Sequence, residues 1–199
     1  MTTPAIFFDR DNTVIINDGY LGDPAGVVLM PGAAKAVARA HELGYAVVVV
    51  SNQSGVAKGL FTEADVEAVD GRVAELLVAV NPMATIDRQE FCPFHPQAVV
   101  ERYRVDSELR KPKPGMILRA AAAMKIDLAR SWVIGDAGRD IQAGKAVGCR
   151  TILFRPVGVA VSPESLNEAT ASVDADAVVE SLVEALDFIE RSTEWVKHA

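Results

Sequence analysis

The sequence predicts an α/β fold: a three-layer sandwich with a mostly parallel central sheet. Short apolar runs of strand length alternate along the chain with stretches of helical periodicity, and strands separated by helices pair in parallel through right-handed crossovers. Three of the runs stop at a polar residue, Asp9, Ser51 or Asp136. In such sheets ligands bind beyond the carboxyl ends of the strands, so these residues are expected along one edge. With 199 residues, half of them hydrophobic, the chain suffices for one sizeable core, and a single domain over 1–199 is expected.

Pro4 to Phe8 is a continuous apolar run bounded by polar residues, the pattern of a strand buried on both faces. Ala33, Ala36, Val37, Ala40 and Leu43 recur at helical spacing between Pro31-Gly32 and Gly44, which is placed as a C-terminal cap. Tyr45 to Val50 is a β-branched strand. Thr62-Glu63-Ala64-Asp65 has the spacing of a capping box, and Val66, Val69, Val73, Leu76, Leu77 and Val80 continue one apolar face behind it. Residues 85–91 read as a third strand. Pro93, Pro96, Pro112 and Pro114 punctuate a long loop that ends where a helix begins near Gly115. Trp132 to Ile134 is a fourth strand, followed by a short helix that stops at Gly148, a strand over 151–154, a polar loop over 158–174 and a last helix over about 178–191.

The net charge of −7 and pI near 5.0 argue against a nucleic-acid surface, which needs a concentrated basic field. A small soluble substrate suits this chain better, and the expected state is a monomer. Two cysteines, Cys92 and Cys149, are too few for a disulfide scaffold and suit a reducing compartment. Arg10 and its flanking aspartates cut the first apolar run short of a signal peptide, and no run reaches bilayer-spanning length. A cytoplasmic protein with no membrane partner is expected.

An isolated Asp-x-Asp at a strand end is usually a helix cap. Here Asp9 follows four apolar residues, where a buried charge is costly unless a cation or hydrogen bonds compensate it. A hard divalent cation such as Mg2+ fills that need, since it prefers carboxylate oxygens. Taken singly, Ser51 reads as a turn hydroxyl, Lys111 as a solvated charge, Asp136 as a turn residue and Asp140 as a first-turn acid matched to the helix dipole. Their order on successive strand ends makes a shared site the better reading.

Asp9-Arg10-Asp11-Asn12-Thr13, Ser51, Lys111, and Gly135-Asp136 with Asp140 resemble, in order, the four motifs of the haloacid dehalogenase superfamily of phosphohydrolases. SNQSGVAKG over 51–59, Cys92-Pro93-x-His95-Pro96 and RKPKPGM over 110–116 narrow the resemblance to the branch of heptose 1,7-bisphosphate 7-phosphatases and histidinol-phosphate phosphatases. The resemblance implies a Rossmann-like sandwich. It also implies that Asp9 attacks phosphorus and becomes an aspartyl-phosphate. Asp11 would protonate the leaving alkoxide and then activate water, with its pKa raised by neighbouring negative charge. Mg2+ would be held by Asp9, Asp136 and the main-chain carbonyl of Asp11, with Asp140 in support. Ser51 and Lys111 would grip the phosphoryl oxygens. The loop of Asn17, Asp18, Gly19 and Tyr20, together with Asn52, Gln53, Ser54 and Arg110, would meet the substrate, a small phosphorylated sugar. Lys58 is a candidate, beside Arg110, for a second phosphate.

Three departures stand out. Asn12 occupies a position that is usually Gly; Asn tolerates positive φ, so the turn is expected to survive. Ala137 occupies a position that is commonly Lys, which leaves Lys111 more of the charge to carry. Most consequential, Phe94, Ser107 and Leu109 replace three of the four zinc ligands of the branch, and Cys92 with His95 supplies at most two, so structural zinc is not expected.

About 40 residues separate Asp9 from Ser51, too few for a large cap domain. A phosphotransferase or mutase would need such a cover to exclude water. The reading is a Mg2+-dependent phosphomonoesterase, most consistent with removal of the 7-phosphate from a heptose 1,7-bisphosphate. Histidinol phosphate or another small metabolite is the alternative within the class, and a non-catalytic binding module is the alternative outside it.

Overall fold

The computed structural model of the chain describes residues 2–17, 19–158 and 174–197. The loop expected over 158–174 lies outside these residues except at its two ends. Six parallel strands form the central sheet: β1 (Ala5–Phe8), β4 (Ala46–Asn52), β5 (Arg88–Cys92), β6 (Trp132–Gly135), β7 (Arg150–Phe154) and β8 (Ala177–Val179), in the order β5-β4-β1-β6-β7-β8. A two-stranded antiparallel ribbon, β2 (Ile15–Ile16) with β3 (Val28–Leu29), was not expected. It follows β1 and pairs Ile15 with Leu29.

The inner strands alternate sides with period two, which explains why their sequences are continuously apolar. Ile6 and Phe8 of β1 and Val47 and Val49 of β4 face one layer, while Ala5, Phe7, Val48 and Val50 face the other. The first layer contains α1 (Ala33–Glu42), α3 (Glu63–Val80) and α6 (Leu182–Lys197); the second contains α4 (Gly115–Met124) and α5 (Gly138–Lys145), and the single-turn α2 (Ser54–Ala57) follows β4. The buried residues of α1 are Ala33, Ala34, Ala36, Val37, Ala38 and Ala40, small side chains that let its axis lie close to the sheet. Trp132 is buried and meets the Phe188 ring edge-on at 5.9 Å.

The expected capping box opens α3: the Asp65 amide donates to Thr62 Oγ1 at 3.2 Å, and the Thr62 amide donates to Asp65 Oδ2 at 2.7 Å. Val66, Val69, Val73 and Leu77 are buried, whereas Val80 is 70% exposed where the helix leaves the sheet. The residues expected to begin the last helix instead form β8, whose Val178 and Val179 pair with Leu153 and Phe154. The helix starts after Ser181, whose Oγ accepts from the Glu184 amide at 3.2 Å. That Ser-x-x-Glu was a legible start signal. The third strand likewise begins at Arg88, because Asp87 is engaged with the Val47 amide through its carboxylate.

The 92–109 loop closes on a small apolar cluster. Phe94 packs its ring 6.0 Å from that of Tyr103, Tyr103 donates its hydroxyl to Glu63 at 2.6 Å, and Val56, Ala57, Val66 and Ala98 lie beneath them. Leu109 joins the core beside α4.

The burial difference along α3 sets a test. Leu77→Ala should lower unfolding stability by about 2–5 kcal/mol, and Val80→Ala by no more than about 0.5 kcal/mol, in urea titrations. Equal costs would contradict the packing of this helix.

Candidate active site

The site forms where strand order reverses. From β1 the chain winds outward through β4 and β5 on one side, and through β6, β7 and β8 on the other, so the ends of β1, β4 and β6 border one crevice. Asp9, Ser51 and Asp136 sit there, each almost fully buried. The Asp9 amide donates to the Ile134 carbonyl at 2.9 Å, which ties Asp9 to the neighbouring strand.

Lys111 arrives from the loop before α4 and reaches the same point. Its ammonium contacts Asp9 Oδ1 at 2.6 Å and Asp140 Oδ1 at 2.7 Å and donates to the Val50 carbonyl at 2.7 Å. Burial opposes its charge, but Asp140 and Asp9 outweigh that and hold its pKa above the usual lysine value. Asn52, expected to contact substrate, spends its amide on the main chain of Lys111. Its Nδ2 donates to the Lys111 carbonyl and its Oδ1 accepts from the Lys111 amide, both at 3.0 Å. Asp140 has two tasks, since its Oδ2 also accepts from the Ala137 amide at the start of α5. Gly135 permits this: a Cβ there would fall 2.5 Å from the Asp140 side chain.

One carboxylate oxygen from each of Asp9, Asp136 and Asp140 lies within 4.8 Å of the others. Burial pushes the Asp9 carboxyl up to about 8; Lys111 and Arg139 oppose the rise, and Asp140 and Asp136 add to it. Such a concentration of anionic oxygen fits a hard divalent cation. Asp9 and Asp136 would hold it, while Asp140 is committed to Lys111 and the α5 start.

Asp11 turns away from that cluster. Its Oδ1 accepts from Asn17 Nδ2 at 2.7 Å and Arg10 Nη2 at 3.2 Å, and its Oδ2 from Gln53 Nε2 at 2.8 Å and Ser51 Oγ at 3.1 Å. Burial pushes its carboxyl up, but the Arg10 charge and hydrogen bonds from Asn17, Arg10 and Ser51 together hold it below the usual carboxylate range. This corrects the expectation of a raised pKa. In the free pocket donors surround the group, and the neighbouring carboxylates do not set its state. Asn12 holds φ at 58°, as expected, and its Oδ1 accepts from the Asn17 amide at 3.1 Å.

The crevice opens into a cavity of about 340 Å3 lined by Asp9, Asp11, Asn17, Gly19, Tyr20, Ser51, Asn52, Gln53, Ser54, Arg110 and Lys111. Asp18 lies outside the described residues. Gln53 and Ser54, expected on substrate, also serve neighbours: Gln53 donates to Ser51 Oγ at 2.7 Å, and Ser54 accepts from Arg110 at 2.9 Å. Lys58 lies over the Tyr20 ring, 4.4 Å from its centroid, and donates to the Tyr20 hydroxyl. His95 and Arg139 line the same cavity, and Arg139 was not foreseen. His95 accepts from the Gln97 amide at 3.0 Å; burial, Arg110 and Lys58 lower its pKa. Arg139 brings a positive charge close enough to act on both Asp9 and Lys111. One sign was legible in the sequence, a cation in the first turn of a helix, against the dipole.

Residues 108–185 match the HAD-hydrolase-like family. D-glycero-beta-D-manno-heptose-1,7-bisphosphate 7-phosphatase of Rhodopseudomonas palustris is 43% identical over 145 residues, 73% of this chain and 79% of that protein. The Escherichia coli K12 protein of the same name is 37% identical over 172 residues, 84% of this chain and 87% of that protein. The crystal structure of D,D-heptose 1,7-bisphosphate phosphatase from B. bronchiseptica, complexed with magnesium and phosphate, superposes with a TM-score of 0.78 at 27% identity, covering 95% of this chain and 99% of that one.

Asn52→Ala should cost about 1–3 kcal/mol of stability by removing both bonds to the Lys111 main chain. Asn52→Asp should not restore it, because a carboxylate accepts from the Lys111 amide but cannot donate to its carbonyl. Urea unfolding of the pair checks this, and a fully restored Asn52→Asp would refute the clamp.

Proposed function

The chain belongs to the HAD-like hydrolases and is a phosphatase, and we propose that it removes the 7-phosphate of a heptose 1,7-bisphosphate through an aspartyl-phosphate on Asp9 with Mg2+ bound beside it. The observation that carries this reading is the convergence of Asp9, Asp11 and Lys111 on one cavity lined by two pairs of cations. Lys111 and Arg139 lie by Asp9, and Arg110 and Lys58 line the wall with Ser54 and Tyr20. One phosphate for each pair matches that arrangement. The relatives at 43% and 37% identity carry the name of the same activity.

In this mechanism Asp9 Oδ attacks phosphorus in line, displacing the sugar alkoxide. Bound Mg2+ supplies positive charge that offsets the repulsion between carboxylate and phosphate. Lys111 and Ser51 hold the phosphoryl oxygens, and Arg139 adds the charge that Ala137 lacks. Asp11 protonates the departing oxygen. It carries that proton once the substrate's negative charge sits against it, because a nearby anion raises a carboxyl pKa. It then takes a proton from the water that cleaves the aspartyl-phosphate.

Histidinol phosphate is the weaker reading. Its amine calls for an acidic partner, and among the described residues lining the cavity the carboxylates are Asp9 and Asp11, both committed to the chemistry. Zinc has no part in this proposal, since Cys92 with His95 supplies at most two of the four ligands a structural site needs.

Two measurements test the proposal. Phosphate release should be fast from one anomer of heptose 1,7-bisphosphate, slow from histidinol phosphate, and lost on chelation or in Asp9→Asn. Comparable release from histidinol phosphate would remove the bisphosphate assignment. Mg2+ at one hundred times its dissociation constant should stabilise the fold by about 2.7 kcal/mol, read as a rise in Tm. Asp136→Asn should abolish most of that rise, and an unchanged rise would place the cation elsewhere.

A further inference from the structure

Arg10 is fully buried, and its guanidinium spans two carboxylates. Nη2 donates to Asp11 Oδ1 at 3.2 Å and Nη1 to Asp70 Oδ1 at 2.9 Å. Asp70 comes from the middle of α3, is itself buried, and sits in a segment held by a bond from Gln89 Nε2 to its carbonyl at 3.0 Å. Asp11 balances the Arg10 charge while it is ionised, and Asp70 is the counter-charge that remains when Asp11 carries the proton of the proposed reaction. Asp70 also adds geometry, because a planar fork bound at both ends has its orientation fixed.

We infer that Asp70 is a positioning residue for the phosphatase reaction, holding Arg10 so that the guanidinium aims the Asp11 carboxyl at the leaving oxygen of the substrate. Asn17, the other donor to Oδ1, belongs to the cavity-wall loop and is half-buried. Of the two donors to Oδ1, Arg10 is therefore the one anchored in the interior, with Asp70 as its anchor to the helical layer; the buried Gln53 and Ser51 hold Oδ2. The α3 helix then contributes to the site without reaching the cavity. This inference rests on the role given to Asp11 above.

The test is the dependence of kcat/KM on the leaving group, measured on the Mg2+-loaded enzyme below the melting temperature of every variant. A sugar alkoxide needs protonation as it departs, and p-nitrophenolate does not. Asp70→Ala should lower kcat/KM for heptose 1,7-bisphosphate about tenfold and for p-nitrophenyl phosphate less than about twofold. Asp70→Asn, which keeps an oxygen to accept from Nη1, should recover most of the loss. If Asp70→Ala does not fold, Arg10→Lys serves in its place, since one ammonium cannot span both carboxylates in the same plane, and the same selectivity is expected. Asp11→Asn is the control and should show the strongest leaving-group selectivity of all. An Asp70→Ala loss that is equal on both substrates, or absent, while Asp11→Asn remains selective overturns the inference alone. A non-selective Asp11→Asn overturns the role of Asp11, and the inference with it.

Discussion

The structure depends most on the contact of one ammonium group with two buried carboxylates. Lys111 lies between Asp9 and Asp140, with the Val50 carbonyl as third acceptor. Through it the end of β1, the end of β4, the loop before α4 and the first turn of α5 meet at a point. Buried charges are tolerated only when paired and fully bonded, so these elements must arrive together for any of them to be acceptable there. Asn52 and Gly135 belong to the same constraint. One clamps the main chain that delivers Lys111, and the other leaves room for Asp140 to approach.

Two carboxylates two residues apart thus acquire opposite properties. Asp9 is pushed up because it is buried with two further carboxylates beside it, and Asp11 is held down because donors outweigh its burial. A turn with positive φ at Asn12 follows Asp11. The roles proposed above need the reverse order, which a cation beside Asp9 and a substrate anion beside Asp11 would supply.

The wall of the cavity is built more cheaply. Where the resemblance implied metal-binding side chains, Phe94 and Leu109 join apolar clusters and Tyr103 ties the loop to α3 through Glu63. Apolar packing is non-directional and tolerates substitution more readily than a tetrahedral site.

The sequence by itself determined the layer architecture, the capping box of α3, the tolerance of Asn12 for its turn, and the placing of Asp9, Ser51 and Asp136 on one edge. All of these follow from local periodicity, local backbone preference or strand order, which are written in neighbouring residues. Only the tertiary structure decided that Asp140 faces Lys111, that Asn52, Gln53, Asn17 and Ser54 bond to other site residues, and that Asp11 lies below its usual pKa. It alone brought Arg139 to the cavity and Asp70 to Arg10. It also made a strand of residues 177–179, where helical spacing and β-branching competed and pairing with β7 won. The physical reason is the same throughout. Hydrogen bonds and charges act over a few ångströms between groups tens of residues apart in the chain, and no local pattern encodes which distant partner the fold will bring within reach.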